Sequence, residues 1–256
     1  MRAKKSLGQN FLMHQRIAER IADVALITQS DTVLEIGPGT GKLTRALLAR
    51  AKRVIAVEAD HELIAPLQET FAEEIAAGRL ELIEADIRSY QPPSTSYKLV
   101  ANIPYYITGE IIRTFLSAPH KPASMTLLVQ KEVAERIARA KKESLLSLSV
   151  KAYGVPKYQF TVPRGAFVPA PNVDSAVLSI FNIQNDAFLL KEAEERFFSL
   201  LHAGFAHKRK LLARNLESVS SQTLIRGAFS SASIPEKARA EDLKLSHWQS
   251  LARLLQ

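Results

Sequence analysis

Apolar residues follow two alternating rhythms along the first half of the chain. Ile17, Ile21 and Val24 fall at helical spacing and predict a first helix. Residues 31–36 then read as a short buried strand that stops at Gly37-Pro38-Gly39-Thr40-Gly41. A helix over 42–50 and a strand over 53–57 follow. Ile64, Leu67, Phe71 and Ile75 mark one further helix, with Gly78 as its stop. Strands are expected over 80–84, 98–101 and 125–129, with a helix over 109–117 before the last. This alternation implies an α/β chain with a Rossmann-like, doubly wound and largely parallel sheet. Residues 157–162 and 175–183 flank a proline-rich segment and are expected to complete it. Beyond that the texture turns helical. Phe197, Phe198, Leu201 and Phe205 form one set, Leu211, Leu212 and Leu216 a second, and Trp248, Leu251, Leu254 and Leu255 a third. The expected organisation is a ligand-binding domain over 1–185, carrying a basic N-terminal arm, and a small all-α domain over 186–256.

Doubly wound sheets bind ligands beyond the carboxyl ends of their strands. Gly37, Glu58, Asp86 and Asn102 all fall there, each after a different strand. Gly37, Gly39 and Gly41 would bring bare backbone close to a ligand at a helix N-terminus, although a tight turn alone would also use them. A phosphate-binding P-loop needs glycine at position 36 and a hydroxyl at 43, where this chain has Ile36 and Leu43. A dinucleotide fingerprint would place its third glycine at Lys42. GxGxG followed by an acid, here Glu58, fits S-adenosyl-L-methionine better. Asp86 could then accept a hydrogen bond from the cofactor's adenine, or simply cap a helix.

Composition narrows the partners. The 34 Lys and Arg against 26 acidic residues give a formal charge of +8, which favours a polyanion but does not require one. With no cysteine, disulfides and thiolate metal sites are excluded. The six histidines are scattered without metal-ligand spacing, so no metal is expected. The arm is too polar for a signal segment, and no apolar run spans a membrane. A cytoplasmic monomer is expected.

Asn102-Ile103-Pro104-Tyr105 is the candidate chemistry. The exocyclic amine of adenine is a poor nucleophile because its lone pair is delocalised into the ring. Two acceptors at its two N–H groups would hold it in line with a methyl donor and favour tetrahedral nitrogen. The Asn102 side-chain oxygen and the Ile103 carbonyl could be those acceptors. Pro104 constrains the direction of that carbonyl, and Tyr105 offers a face for a stacked base. A strand-ending Asn-x-Pro turn is the plainer alternative.

Four segments occur in order: Leu7-Gly8-Gln9-Asn10-Phe11-Leu12, then 35–41, then 102–108, then Phe167-Val168-Pro169-Ala170-Pro171-Asn172-Val173-Asp174-Ser175-Ala176. Together they resemble the ribosomal RNA adenine dimethylases, and among them the bacterial small-subunit (16S) branch associated with kasugamycin sensitivity. The resemblance runs from Lys5 to about Leu216. It implies N6,N6-dimethylation of two adjacent adenosines in a 3′-terminal hairpin loop of 16S rRNA, within the small ribosomal subunit or its precursor. It carries cofactor contacts to Asn10, Leu12, Gly37, Glu58, Asp86 and Asn102, and implies that Phe167 presses on the target base opposite Tyr105. A core aromatic beside a proline turn is the other reading of Phe167. Two departures from the family pattern are the run 138–144, where a Gly- or Pro-containing loop is usual, and Lys208-Arg209-Lys210, where two Arg precede Lys.

Two basic clusters are candidates for RNA phosphates: Lys131, Arg136, Arg139, Lys141 and Lys142, then Lys208, Arg209, Lys210 and Arg214 beside His207. Solvated helix faces are the alternative. Two rival functions share the scaffold: a 23S rRNA adenine methylase of the antibiotic-resistance type, and a non-catalytic ribosome-assembly factor.

Overall fold

The computed structural model describes residues 4, 8–184, 187–188 and 190–255; most of the basic arm, Leu7 and the expected boundary at 185/186 lie outside them. Strands β2 (Thr32–Ile36), β3 (Arg53–Glu58), β4 (Leu80–Glu84), β5 (Lys98–Asn102) and β6 (Ser124–Gln130) form where the apolar runs predict. They pair in parallel register. β7 (Val155–Val162) and β9 (Ser175–Phe181) complete a seven-stranded sheet of order β4-β3-β2-β5-β6-β9-β7, with β9 antiparallel to both neighbours. Parallel strands are covered on both faces, which is why Val33, Leu34, Glu35 and Ile36 are all buried. The winding reverses between β2 and β5, opening a crevice at their carboxyl ends.

Helices α1 (Gln15–Val24), α2 (Lys42–Leu48) and α5 (Thr108–Ser117) match the periodic sets. The single helix expected across 64–75 is two, α3 (His61–Thr70) and α4 (Ala72–Ala76). Phe71 breaks it at φ −118°, ψ 27°, with its ring fully buried. Gly78 does end α4: its N–H donates to Ile75 (3.0 Å) and that of Arg79 to Glu74 (2.9 Å), satisfying two orphaned helix carbonyls. A short antiparallel ribbon joins β1 (Phe11–Leu12) to β8 (Phe167–Val168), tying the N-terminal arm to the proline-rich segment.

The chain divides into two compact units, one of Met1–Glu135 with Gly154–Gln184 and one of Arg136–Tyr153 with Asn185–Gln256. Residues 136–153, expected within the first domain, thus group with the helical one. The reason is packing: α7 (Leu145–Tyr153) buries Leu148 in the same cluster as Phe197, Leu201 and Trp248. Before it, the Glu143 N–H donates to the Glu241 carbonyl at 2.8 Å. The Ser144 hydroxyl accepts from the Ser147 N–H at 3.1 Å and caps the helix. The 138–144 run is therefore pinned to the helical unit.

That unit is completed by α8 (Lys191–Phe205), α9 (Leu212–Leu216), α10 (Gln222–Ser231) and α11 (Leu245–Leu254). α8 crosses α11 at Gly204, where an added Cβ would stand 2.3 Å from Trp248 Cη2. Gly204→Ala is expected to overpack this crossing and cost about 1–3 kcal/mol. A lowered urea midpoint for the helical unit checks this; an unchanged midpoint would mean that the crossing relaxes freely.

Candidate active site

The strand ends meet at one pocket, about 1090 Å³ with its open mouth included. Gly37, Gly39, Glu58 and Asp86 line one part of its wall. Asn102, Ile103, Pro104 and Tyr105 line another, and Asn10 and Leu12 of the arm close over it. Gly41 is not in the wall. It sits at φ +78° where α2 begins, and an added Cβ would meet Phe71 Cε2 at 2.6 Å. Its smallness lets the loop lie against Phe71 and Leu67.

Glu58 is 5% exposed, and both of its oxygens accept main-chain N–H groups: Gly39 at 3.1 Å and Asp60 at 2.9 Å. Burial raises its pKa, against the pull of those N–H bonds. Asp60 in turn caps α3 through the Glu62 N–H and receives Lys4 Nζ and Gln9 Nε2, each at 2.7 Å. Burial works to raise the Asp60 pKa, but the bonds from Lys4 and Gln9 outweigh it and hold the carboxyl below its usual range. These contacts lash the arm over the pocket.

Asn102 Nδ2 donates to the Asn10 carbonyl at 3.0 Å, across 92 residues of chain. That bond assigns the amide's orientation and leaves Oδ1 without a donor among the described residues. The Tyr105 hydroxyl shares a 2.7 Å hydrogen bond with Oγ of buried Ser175, at the start of β9. The ring is thereby fixed, and its burial raises the phenol pKa.

Several expectations are modified. Phe167 is 2% exposed, belongs to the main hydrophobic cluster and is absent from the pocket wall. Its pairing opposite Leu12 in the ribbon turns the ring into the core. Asp86 lines the pocket, but Arg88 engages both of its oxygens, Nη2 on Oδ2 at 2.5 Å and Nε on Oδ1 at 3.0 Å. The same guanidinium lowers the Asp86 pKa. Of the basic candidates, Lys131 belongs to the first unit and the others to the second. Arg136, Arg139, Lys141, Lys208, Arg209, Lys210 and Arg214 are exposed. Lys142 already contacts Glu241 at 2.5 Å and Asp242 at 3.5 Å. Sequence reading missed Lys4, Gln9, Asp60, Arg88 and Ser175. Gln9 and Ser175 lie within the segments that carry the resemblance, and Asp60 and Arg88 each lie two residues beyond an acid at a strand end, but none of these was assigned a role.

A doubly wound sheet with a glycine loop after β2, acids after β3 and β4, and Asn-Ile-Pro-Tyr after β5 defines a Rossmann-like methyltransferase. The family model described as ribosomal RNA adenine dimethylase matches residues 1–256, and the chain belongs to that family. It is 42% identical over 259 residues to Ribosomal RNA small subunit methyltransferase A of Dehalococcoides mccartyi, covering 98% of this chain and 88% of that one. Among solved structures it is similar to a dimethyladenosine transferase from Plasmodium falciparum, with a TM-score of 0.82 at 27% identity over 94% of this chain and 95% of that one. It is also similar to the 23S rRNA methyltransferase ErmE, with a TM-score of 0.81 at 28% identity over 96% and 99%.

Beneath the glycine loop, Glu35 is wholly buried. Burial pushes its pKa up to about 8. The Thr44 hydroxyl opposes this shift and the Glu58 charge reinforces it, although neither Glu35 nor Thr44 completes a well-formed hydrogen bond among the described residues. The folded state therefore keeps a proton that the unfolded chain, with its ordinary value of 4.5, has released. Stability is expected to fall as pH rises from 4.5 to about 8 and to level off above. Glu35→Gln, which cannot ionise, should flatten that decline in denaturation midpoints compared across the window. A variant with the wild-type pH dependence would assign the decline elsewhere.

Proposed function

We propose that this protein transfers methyl groups from S-adenosyl-L-methionine to N6 of two adjacent adenosines in the 3′-terminal hairpin loop of 16S rRNA, in the small subunit or its precursor, forming N6,N6-dimethyladenosine. One observation carries the reading: the Asn102 amide, its donor end spent on Asn10, keeps its acceptor end in the pocket wall that also holds the glycine loop and Glu58. The small-subunit name of the 42%-identical relative supports the choice of RNA.

The residues fit the cofactor. Gly37 and Gly39, at φ +65° and +58°, bring main chain to the pocket wall where a side chain would intrude. Glu58 is oriented by two N–H groups and keeps lone pairs for ribose hydroxyls. Asp86 likewise has lone pairs beyond those Arg88 uses, and can accept from an adenine amino group. Bound there, the cofactor supplies an electrophilic sulfonium methyl.

In the first transfer Asn102 Oδ1 and the Ile103 carbonyl accept hydrogen bonds from the two N6–H groups and draw the lone pair out of conjugation; in the second, the one N–H that remains is held by one of them. Pro104, at φ −54°, ψ 131°, holds the turn that aims that carbonyl. Tyr105, fixed through Ser175, stacks the base. The methylated ammonium loses its proton to water, so no strong base is needed.

Phosphates would be met by Lys131, Arg136, Arg139, Lys141, Lys142, Lys208, Arg209, Lys210 and Arg214, of which Lys142 is also held by Glu241 and Asp242. The work belongs in the cytoplasm, where subunits mature. No helix among the described residues is long and apolar enough to cross a membrane. Methylation of 23S rRNA is the second reading, favoured by the likeness to ErmE, which is lower in identity than that to the small-subunit relative.

Incubation with methyl-labelled cofactor and unmodified ribosomal subunits tests the reading. Label is expected on two neighbouring adenosines of the small subunit. Label confined to the large subunit would establish the second reading, and none on either would favour an assembly factor. Asn102→Ala should lower kcat by about 10²–10³-fold, as loss of one aimed transition-state partner does. Replacing Lys208, Arg209 and Lys210 by Ala should make the salt dependence of subunit binding shallower, by about 0.7–0.9 for each phosphate no longer neutralised; an unchanged slope would remove this loop from the RNA path.

A further inference from the structure

With Phe167 in the core, the structure offers another aromatic at the site, Tyr106. Its side chain is 64% exposed, and among the described residues no other strongly exposed large apolar side chain lines the pocket. Its hydroxyl makes no hydrogen bond among the described residues, unlike that of Tyr105. One side of the ring rests on the arm: a Cβ added at Gly8 would stand 3.0 Å from Tyr106 Cε1 and 3.4 Å from Pro104 Cβ. Gly8, at φ +60°, thus makes room for the ring.

We propose that Tyr106 stacks the nucleobase next to the adenosine being methylated, an unpaired base of the RNA loop. The inference rests on the function proposed above. Position favours RNA over cofactor as the occupant. Of the cofactor residues, Gly37, Glu58 and Asp86 follow β2, β3 and β4 and Asn102 ends β5, whereas Tyr106 lies beyond Asn102 on the far side of Pro104, one residue past the ring assigned to the target. The chain's net charge of +8 suits a polyanion. A ring exposed to water has little else to gain, while base–aromatic stacking tolerates any base and strengthens single-strand binding. Two adjacent targets make such a platform useful, because whichever adenosine is in the pocket leaves a neighbour that must be held out of it.

The test uses the full chain with unmodified small subunits and S-adenosyl-L-methionine. Direct subunit binding, KM for the subunit, kcat and cofactor affinity are measured for wild type, Tyr106→Ala, Tyr106→Phe and Gly8→Ala. Tyr106→Ala should weaken subunit binding and raise its KM by about 5- to 100-fold, with cofactor affinity within about twofold and an unaltered melting temperature. Tyr106→Phe should bind as wild type does, since the face and not the hydroxyl is used. Gly8→Ala, which displaces the ring, should give a smaller loss of the same kind. Unchanged subunit binding in Tyr106→Ala, or a loss that falls on cofactor affinity instead, would overturn the proposal while leaving the methyltransferase reading intact. A wild-type protein that neither binds nor methylates small subunits would sink both.

Discussion

One path of hydrogen bonds rims the pocket. Asn102 donates to the Asn10 carbonyl, Gln9 of the same arm donates to Asp60, the Asp60 N–H donates to Glu58, and Glu58 accepts from Gly39. This path joins the amide to which the methyl-transfer role is assigned, the arm that closes over the pocket, and the glycine loop. Asn102 alone at a strand end could present either end of its amide. The Asn10 carbonyl, a pure acceptor, selects the rotamer in which the oxygen remains available. Hydrogen bonds in such networks support one another in a low dielectric.

Electrostatics around this path follow from burial. Three acids, Glu35, Glu58 and Asp60, lie within or beneath the site, and burial works to raise the pKa of each. They end differently because their partners differ. Asp60 has an ammonium and two further N–H donors, so its carboxylate is stabilised. Glu58 has only main-chain donors, which offset part of the burial cost. Glu35 has little more than a hydroxyl nearby and keeps its proton.

Aromatic residues divide by the same logic of partners. Tyr105 is half-buried with its hydroxyl anchored on Ser175, a rigid surface suited to a base that must be held in line. Tyr106 is exposed and untethered, suited to a neighbour that must only be steadied. Phe167 has no polar handle and sits in the core, where it secures the ribbon that holds the arm down.

Much was legible in the sequence because local rules decide it. Periodicity placed the strands, the glycines marked the first loop, and the order of Gly37, Glu58, Asp86 and Asn102 after successive strands followed from the winding of the sheet. What stayed hidden was set by contacts between distant segments. Phe71 reads as one more apolar position of a helix, yet packing against Gly41 splits that helix in two. Residues 136–153 read as part of the sheet domain, but Leu148 finds its apolar partners among the later helices. Lys4 carries no pattern, Gln9 stands in a recognisable segment that does not reveal its partner, and only folding brings both to Asp60. Side-chain period and turn chemistry are properties of neighbours in sequence. Which carboxylate meets which cation, and which face of Asn102 stays free, depends on distances that exist only once the chain has closed on itself.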